Sequence, residues 1–206
     1  MEITRINPRQ PEPVLIAHIA RAVRDGLPFV FPTDTVYGLG LPVVAGGSPQ
    51  ALFALKGRDG DKAIPWLVAG ASALDEYAED VPGFAFDLAQ QHWPGALTLV
   101  VRASAAVPGA FRAPDGSVAL RAPAHPIARA LIEALGTPVA TTSANRQGYP
   151  PATSLAALDP ELAARLAYAV DGGPTPGVAP STIVSCLGEK PLILREGALP
   201  PEHLLH

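Results

Sequence analysis

With 206 residues, 48% of them hydrophobic, the chain fits one large domain or two very small ones and can bury a substantial core. A net charge of −4 excludes a protein that grips nucleic acid through a broad basic surface, although local clusters of Lys and Arg remain. The single cysteine, Cys186, excludes an intrachain disulfide and a multi-cysteine metal site, and fits a reducing compartment.

In chain order, Val14 to Asp25 has helical spacing and stops at Gly26, a C-cap residue. His18 and Arg21 interrupt its apolar residues, so it reads as an amphipathic helix and not a secretory leader. No run is uniform enough to cross a bilayer, and the expectation is a cytoplasmic protein without a membrane partner. Leu27 to Phe31 reads as a buried strand, and Pro32, which lacks a backbone donor, should end its pairing. Ser48-Pro49 opens a short helix through Leu55, and Ile64 to Val68 is a strand. Ser72 caps a helix towards Glu79, and Phe84 to His92 is a helix closed by Trp93-Pro94-Gly95. Leu97 to Arg102 and Ser117 to Arg121 are strands. Pro126 to Leu135 is a helix ended by Gly136, and Pro138 to Thr142 is a short strand. Asp159-Pro160 starts a helix through Leu166; Thr182 to Cys186 and Leu192 to Arg195 are the last strands. This alternation predicts an α/β protein with helices covering a sheet. The hairpin-like spacing of Ile183 and Leu194 makes the sheet mixed. No repeat or shift in composition marks a boundary, so residues 1–206 read as a single domain.

Polar residues gather where these apolar runs end. In Phe31-Pro32-Thr33-Asp34-Thr35-Val36-Tyr37-Gly38-Leu39-Gly40, hydroxyls, a carboxylate and a phenol follow the strand, and Gly38 and Gly40 allow backbone geometries closed to other residues. Open α/β sheets bind ligands at such strand ends, although a turn rich in β-branched residues has the same composition. Lys56-Gly57-Arg58-Asp59-Gly60-Asp61-Lys62 is a loop. Its Lys56 and Arg58 can converge on one anion or face solvent. Thr141-Thr142-Ser143-Ala144-Asn145, followed by Gly148, makes either an anion cradle or an ordinary Ser/Thr/Asn turn. Ser181 and Thr182 open a strand, and Arg121 and Arg195 each end one. Cys186 reads as a buried thiol. The phosphate-binding loop, the dinucleotide fingerprint, the serine-hydrolase elbow and metal-ligand histidine spacing are all missing from the sequence.

In this order, the FPTDTVYGLG stretch, the Lys56-x-Arg58 pair, Trp93-Pro94-Gly95-Ala96-Leu97-Thr98, Val118 to Pro123, Thr142-Ser143-Ala144-Asn145 with Gly148, Pro180-Ser181-Thr182 and Leu194-Arg195-Glu196-Gly197 resemble the signatures of the YrdC/TsaC family, the threonylcarbamoyl-AMP synthases. Asp59, Ala63-Ile64 and Ala96 stand where that family usually has prolines or a Pro-Leu pair. The resemblance implies a YrdC/RibB-like twisted mixed sheet flanked by helices, with a concave basic cleft. It implies a nucleotidyltransferase that forms threonylcarbamoyl-AMP and pyrophosphate from L-threonine, bicarbonate or CO2, and ATP, for threonylcarbamoyladenosine modification of tRNA.

By motif position, the resemblance makes Lys56 and Arg58 catalytic, and gives ATP to Lys56, Arg58, Thr141, Ser143, Asn145 and Arg195. It gives threonine to Thr33, Thr35, Tyr37, Arg121, Ser181 and Thr182, with Arg121 aimed at the carboxylate. Asp34 is the nearest candidate for a metal or amine contact. ATP is a substrate, Mg2+ rides on its triphosphate, and no protein metal site is expected. The implied partners are downstream tRNA threonylcarbamoyltransferase proteins, with tRNA or double-stranded RNA contact as a further expectation. Two other readings stay open. One is a carbamoyl-adenylate-forming enzyme, like the modules of hydrogenase-maturation proteins. The other is a double-stranded RNA-binding module without enzymatic activity, using Lys56, Arg58, Lys62 and Arg112.

Overall fold

The computed structural model describes residues 1–57, 64–177 and 179–204. Among them ten strands form one mixed sheet: β1 (Glu2–Arg5), β2 (Phe29–Pro32), β3 (Tyr37–Pro42), β4 (Trp66–Leu67), β5 (Leu97–Arg102), β6 (Ser117–Arg121), β7 (Val139–Ser143), β8 (Tyr168–Asp171), β9 (Thr182–Ser185) and β10 (Leu192–Arg195). Their spatial order is β1-β8-β2-β3-β7-β4-β6-β5-β9-β10. The pairs β1/β8, β2/β8, β4/β6 and β5/β9 are parallel, and the other five are antiparallel. The helices are α1 (Pro13–Val23), α2 (Gln50–Lys56), α3 (Ala73–Tyr77), α4 (Gly83–His92), α5 (Pro126–Leu135) and α6 (Pro160–Ala164).

Side chains alternate across a strand, so each strand serves two layers. On one face Leu39, Trp66, Leu97, Leu99, Leu120 and Val184 are buried with Leu52 and Phe53 of α2, Leu74 of α3 and Leu88 of α4. On the other, Phe29, Phe31, Tyr168 and Val170 are buried under Ile16, Ile19 and Val23 of α1 and Ile127 and Leu131 of α5. Each such large apolar side chain contributes about 1.5–3 kcal/mol by leaving water. The second layer is incomplete. The helices α1 and α5 pack on each other and α5 on β2, and their apolar cluster reaches only as far as Val139 of β7 and Leu67 of β4. Past that point the same face carries Thr98, Arg121, Thr141, Ile183 and Arg195, which line an open cavity.

The strand β2 does end at Pro32 as expected, with Pro32 itself as the last paired residue, opposite Tyr37. Several other elements differ from the sequence expectation. The helix α2 runs one residue past Leu55, so Lys56 is helical and only Gly57, with φ 63°, turns the chain. Ser72 makes no side-chain cap to α3. The strands β1, β3 and β8 went unread. The strand β3 contains Gly38 and Gly40, and neither uses a positive φ. A Cβ on Gly38 would lie 2.8 Å from Thr141 Cγ2, and one on Gly40 would lie 2.8 Å from Val139 Cγ1. These glycines let β3 lie beside the branched side chains of β7.

Candidate functional site

The cavity has a volume of about 510 Å3. Thr33 and Thr35 of the β2–β3 connection, Tyr37 of β3, Thr141 and Ser143 of β7, Thr98 of β5, Arg121 of β6, Ser181 before β9 and Arg195 of β10 line it, with Ile64, Pro65 and Leu67 as an apolar patch. Alternation explains this list. Thr98 lies between core residues Leu97 and Leu99, Arg121 follows core Leu120, and Ile183 precedes core Val184.

Arg121 is buried, and its Nε donates to Gly95 O at 2.9 Å. Its Nη2 donates to Asp34 Oδ2 at 2.7 Å, and Nη1 reaches Thr35 Oγ1 at 3.5 Å. The other carboxylate oxygen, Asp34 Oδ1, is buried without a hydrogen-bond partner among the described residues. Arg195 Nη2 donates to Ser181 O at 2.7 Å and to Ser181 Oγ at 3.3 Å. Ser181 Oγ in turn lies 2.8 Å from Thr98 Oγ1. Burial, and after it the positive field of Arg121, pull the Arg195 pKa below its ordinary value. Arginine stays charged regardless. Arg195 has no carboxylate partner among the described residues, whereas Arg121 is paired with Asp34, so Arg195 is the guanidinium that an incoming anion would neutralise.

The facing wall is the segment after β7. Lys56 Nζ donates to Ser143 O (2.8 Å), Asn145 O (2.9 Å) and Asn145 Oδ1 (2.9 Å). Ser143 Oγ also donates to Asn145 Oδ1, and Asn145 Nδ2 donates to Arg146 O and Tyr149 O. A buried ammonium is tolerable only when its donors are satisfied, and here carbonyl oxygens satisfy them. Thr33 Oγ1 donates to Val36 O at 2.6 Å and fixes the β2–β3 turn. Tyr37 donates to Gly173 O at 2.7 Å. Burial, aided by the charge of Asp171, pushes the phenol up to about 12, so it stays neutral at physiological pH.

The Sua5/YciO/YrdC family model, described as telomere recombination, matches residues 21–197. The chain belongs to the Sua5/YciO/YrdC family. Threonylcarbamoyl-AMP synthase of Bacillus subtilis (strain 168) is 36% identical over 190 residues, covering 92% of this chain and 55% of that protein. The structure of P. abyssi Sua5 complexed with L-threonine matches with a TM-score of 0.92 at 34% identity, over 98% of this chain and 59% of that one. E. coli YciO matches with a TM-score of 0.87 at 27% identity, over 99% of both chains. The chain thus spans a little over half the length of the first two relatives and the full length of the third. The Sua5 and YciO likenesses agree with the mixed α/β architecture read from the sequence.

Within this Sua5/YciO/YrdC fold, Thr33, Thr35, Tyr37, Arg121, Thr141, Ser143, Ser181 and Arg195 come together around the cavity. Lys56 and Asn145 stand behind its wall, joined to Ser143. Thr182 does not reach the cavity. It lies one residue out of step with Ser181 and Ile183, and its Oγ1 donates to Leu199 O at 2.6 Å and accepts from Leu199 N. The threonine contact expected of it is replaced by a tie to the C-terminal segment. Arg58 and Lys62 lie outside the described residues. The RNA patch expected of Lys56 and Arg112 loses Lys56, which is buried, while Arg112 is tied to Val107 O and Ser104 O. Cys186 is buried, and burial pushes its thiol up to about 12. Thr98 and the carbonyl of Gly95 were not singled out in the sequence, although both fall in the Trp93–Thr98 signature. Alternation between Leu97 and Leu99 was the signal that could have found Thr98.

No group of three or more His, Cys, Asp or Glu side chains able to hold a metal ion occurs among the described residues. None of the described helices is long and apolar enough to cross a membrane.

Proposed function

We propose that this chain is an adenylyl-transferring enzyme that forms threonylcarbamoyl-AMP and pyrophosphate from L-threonine, bicarbonate or CO2, and ATP. The observation that carries this reading is the cavity itself. Two arginines, one paired with Asp34 and the other without a carboxylate among the described residues, sit beside hydroxyls, in a fold with a TM-score of 0.92 to a Sua5 crystallised with L-threonine. The product would feed tRNA threonylcarbamoyladenosine formation in the cytoplasm, through downstream threonylcarbamoyltransferase proteins.

The reaction needs no protein nucleophile. The threonine amine, once deprotonated, bonds to CO2 through its nitrogen lone pair and releases one N–H proton to water, giving a carbamate. A carbamate oxygen then bonds to the α-phosphorus as the bond to pyrophosphate breaks, and the pyrophosphate leaves with its electron pair. Two anions must be held together while charge builds on phosphate oxygens, so positioning and fixed electrostatics supply the rate. Arg121, held by Asp34 and Gly95 O, presents its remaining N–H groups to the threonine carboxylate, with Thr35 and Ser181 beside it. Arg195 faces phosphate oxygens. Lys56 acts mainly through its charge, because its donors already hold Ser143 and Asn145 in place. Tyr37 is an uncharged wall of the amino-acid pocket. Mg2+ would arrive with the triphosphate and neutralise its oxygens.

Incubation with ATP, threonine, bicarbonate and magnesium, read by mass spectrometry, should yield threonylcarbamoyl-AMP and pyrophosphate. Folded protein that releases no pyrophosphate in the presence of threonine overturns the proposal. Release with carbamoyl phosphate in place of threonine selects the carbamoyl-adenylate reading.

A further inference from the structure

The segment that follows the Ser143 wall carries a feature the reaction above does not use. Tyr149 is 52% exposed, yet its ring is not loose. The Arg146 guanidinium lies 4.4 Å from the ring centroid and covers one face. Arg146 is itself held on three atoms. Nε and Nη2 form a fork with the two oxygens of Asp159 at 2.9 and 3.0 Å, and Nη1 meets Glu161 at 2.7 Å. Asp159 in turn caps α6 by accepting from Leu162 N at 3.0 Å. The backbone is fixed as well. Tyr149 N donates to Arg146 O at 3.1 Å across a turn whose third residue, Gly148, has φ 83°, a value glycine adopts without strain. Asn145 Nδ2 holds the carbonyls of Arg146 and Tyr149, and Gln147 N donates to Lys56 O at 3.0 Å. Pro151, two residues on, lines the cavity, which is about 7 Å of extended chain.

An exposed aromatic ring backed by a pinned guanidinium has one face left for a partner. The cation draws electron density towards the covered face and leaves the open one suited to an electron-rich flat ring. We propose that the Tyr149 ring, pinned by Arg146, is a stacking platform for the adenine of ATP, with the phosphates on the Ser143 and Arg195 side of the cavity. This rests on the ATP-dependent reading above and adds to it a contact for the base. Stacking accepts any base with a π-face, so the platform contributes affinity and placement more than choice of base.

The test is isothermal titration of ATP, and separately of inorganic triphosphate, into the wild type, Tyr149→Ala and Tyr149→Phe. The side chain is exposed and the loop is held through its backbone, so the variants should fold. Loss of one stacked base predicts about tenfold weaker ATP binding for Tyr149→Ala, unchanged triphosphate binding, and wild-type ATP binding for Tyr149→Phe. A Tyr149→Trp protein should lose fluorescence with ATP and not with triphosphate. Wild-type ATP affinity in Tyr149→Ala overturns the platform alone, as does equal loss of ATP and triphosphate binding. Weakened binding to an RNA duplex with intact ATP binding also overturns it. Wild-type protein that binds no ATP overturns both the platform and the reading beneath it.

Discussion

On the β7 side of the cavity a lysine ammonium is enclosed by carbonyl oxygens. On the β6–β10 side two guanidinium groups press towards one space, and Arg195 Nη1 has no partner among the described residues. Both walls are basic in sequence, but the physical state of the charge differs. The lysine works as a clasp that shapes a loop. The arginines, one of them anchored by a carboxylate, keep capacity for an anion. A basic residue near a site is therefore best judged by what its donors already hold.

The largest effect is expected at Asp34. Removing one partner of a buried ion pair leaves the other charge uncompensated. Asp34→Ala should thus cost about 3 kcal/mol, near the low end for buried pairs because the carboxylate is partly exposed. Urea denaturation reads it, and an unchanged midpoint would mean the pair does not hold Arg121. The contrast between Lys56→Met and Arg195→Ala sharpens the two roles. Lys56→Met removes the donor to Ser143 O and Asn145 O, while Asn145 Oδ1 keeps Ser143 Oγ, and should cost about 2 kcal/mol of stability. Arg195→Ala, near the cavity mouth, should stay within about 0.5 kcal/mol of wild type but raise the KM for ATP about tenfold, as expected for one lost charge-assisted contact. Reversed effects would exchange the roles assigned to the two walls.

The smallest expected effect is in pH. His125 caps α5 by accepting from Ile127 N, and burial lowers its pKa below the ordinary 6.5, with Asp34 opposing. The native state then binds fewer protons than the unfolded chain between that lowered value and pH 6.5. Stability should be full above pH 6.5 and decline as pH falls through that window. His125→Asn keeps a capping acceptor and should flatten this part of the curve in thermal melts. A decline of equal size in the variant would assign it to other groups.

The strands β5, β6 and β10 and the helix α5 were legible to the residue, because apolar runs there are bounded by charged residues, proline or glycine. The strand β3 was not, because its two glycines and its proline suggest a turn. Their reason lies in Thr141 and Val139, about a hundred residues away in sequence. The strands β1 and β8 are short and pair in parallel with each other across most of the chain, so no local pattern marks them. Most cavity residues were visible as motif positions. What the residues alone could not convey was partnership: that Lys56 is enclosed, that Arg121 is already paired with Asp34, and that Thr182 faces Leu199.

The half-covered sheet has an evolutionary corollary. Along β5, β6, β7 and β9, neighbouring positions answer to different selective pressures, one guarding the packed interior and the next guarding the cavity lining. Change in this protein should therefore accumulate with a two-residue beat, in which tolerance for hydrophobic exchange and tolerance for a remodelled cavity lining rise and fall in antiphase.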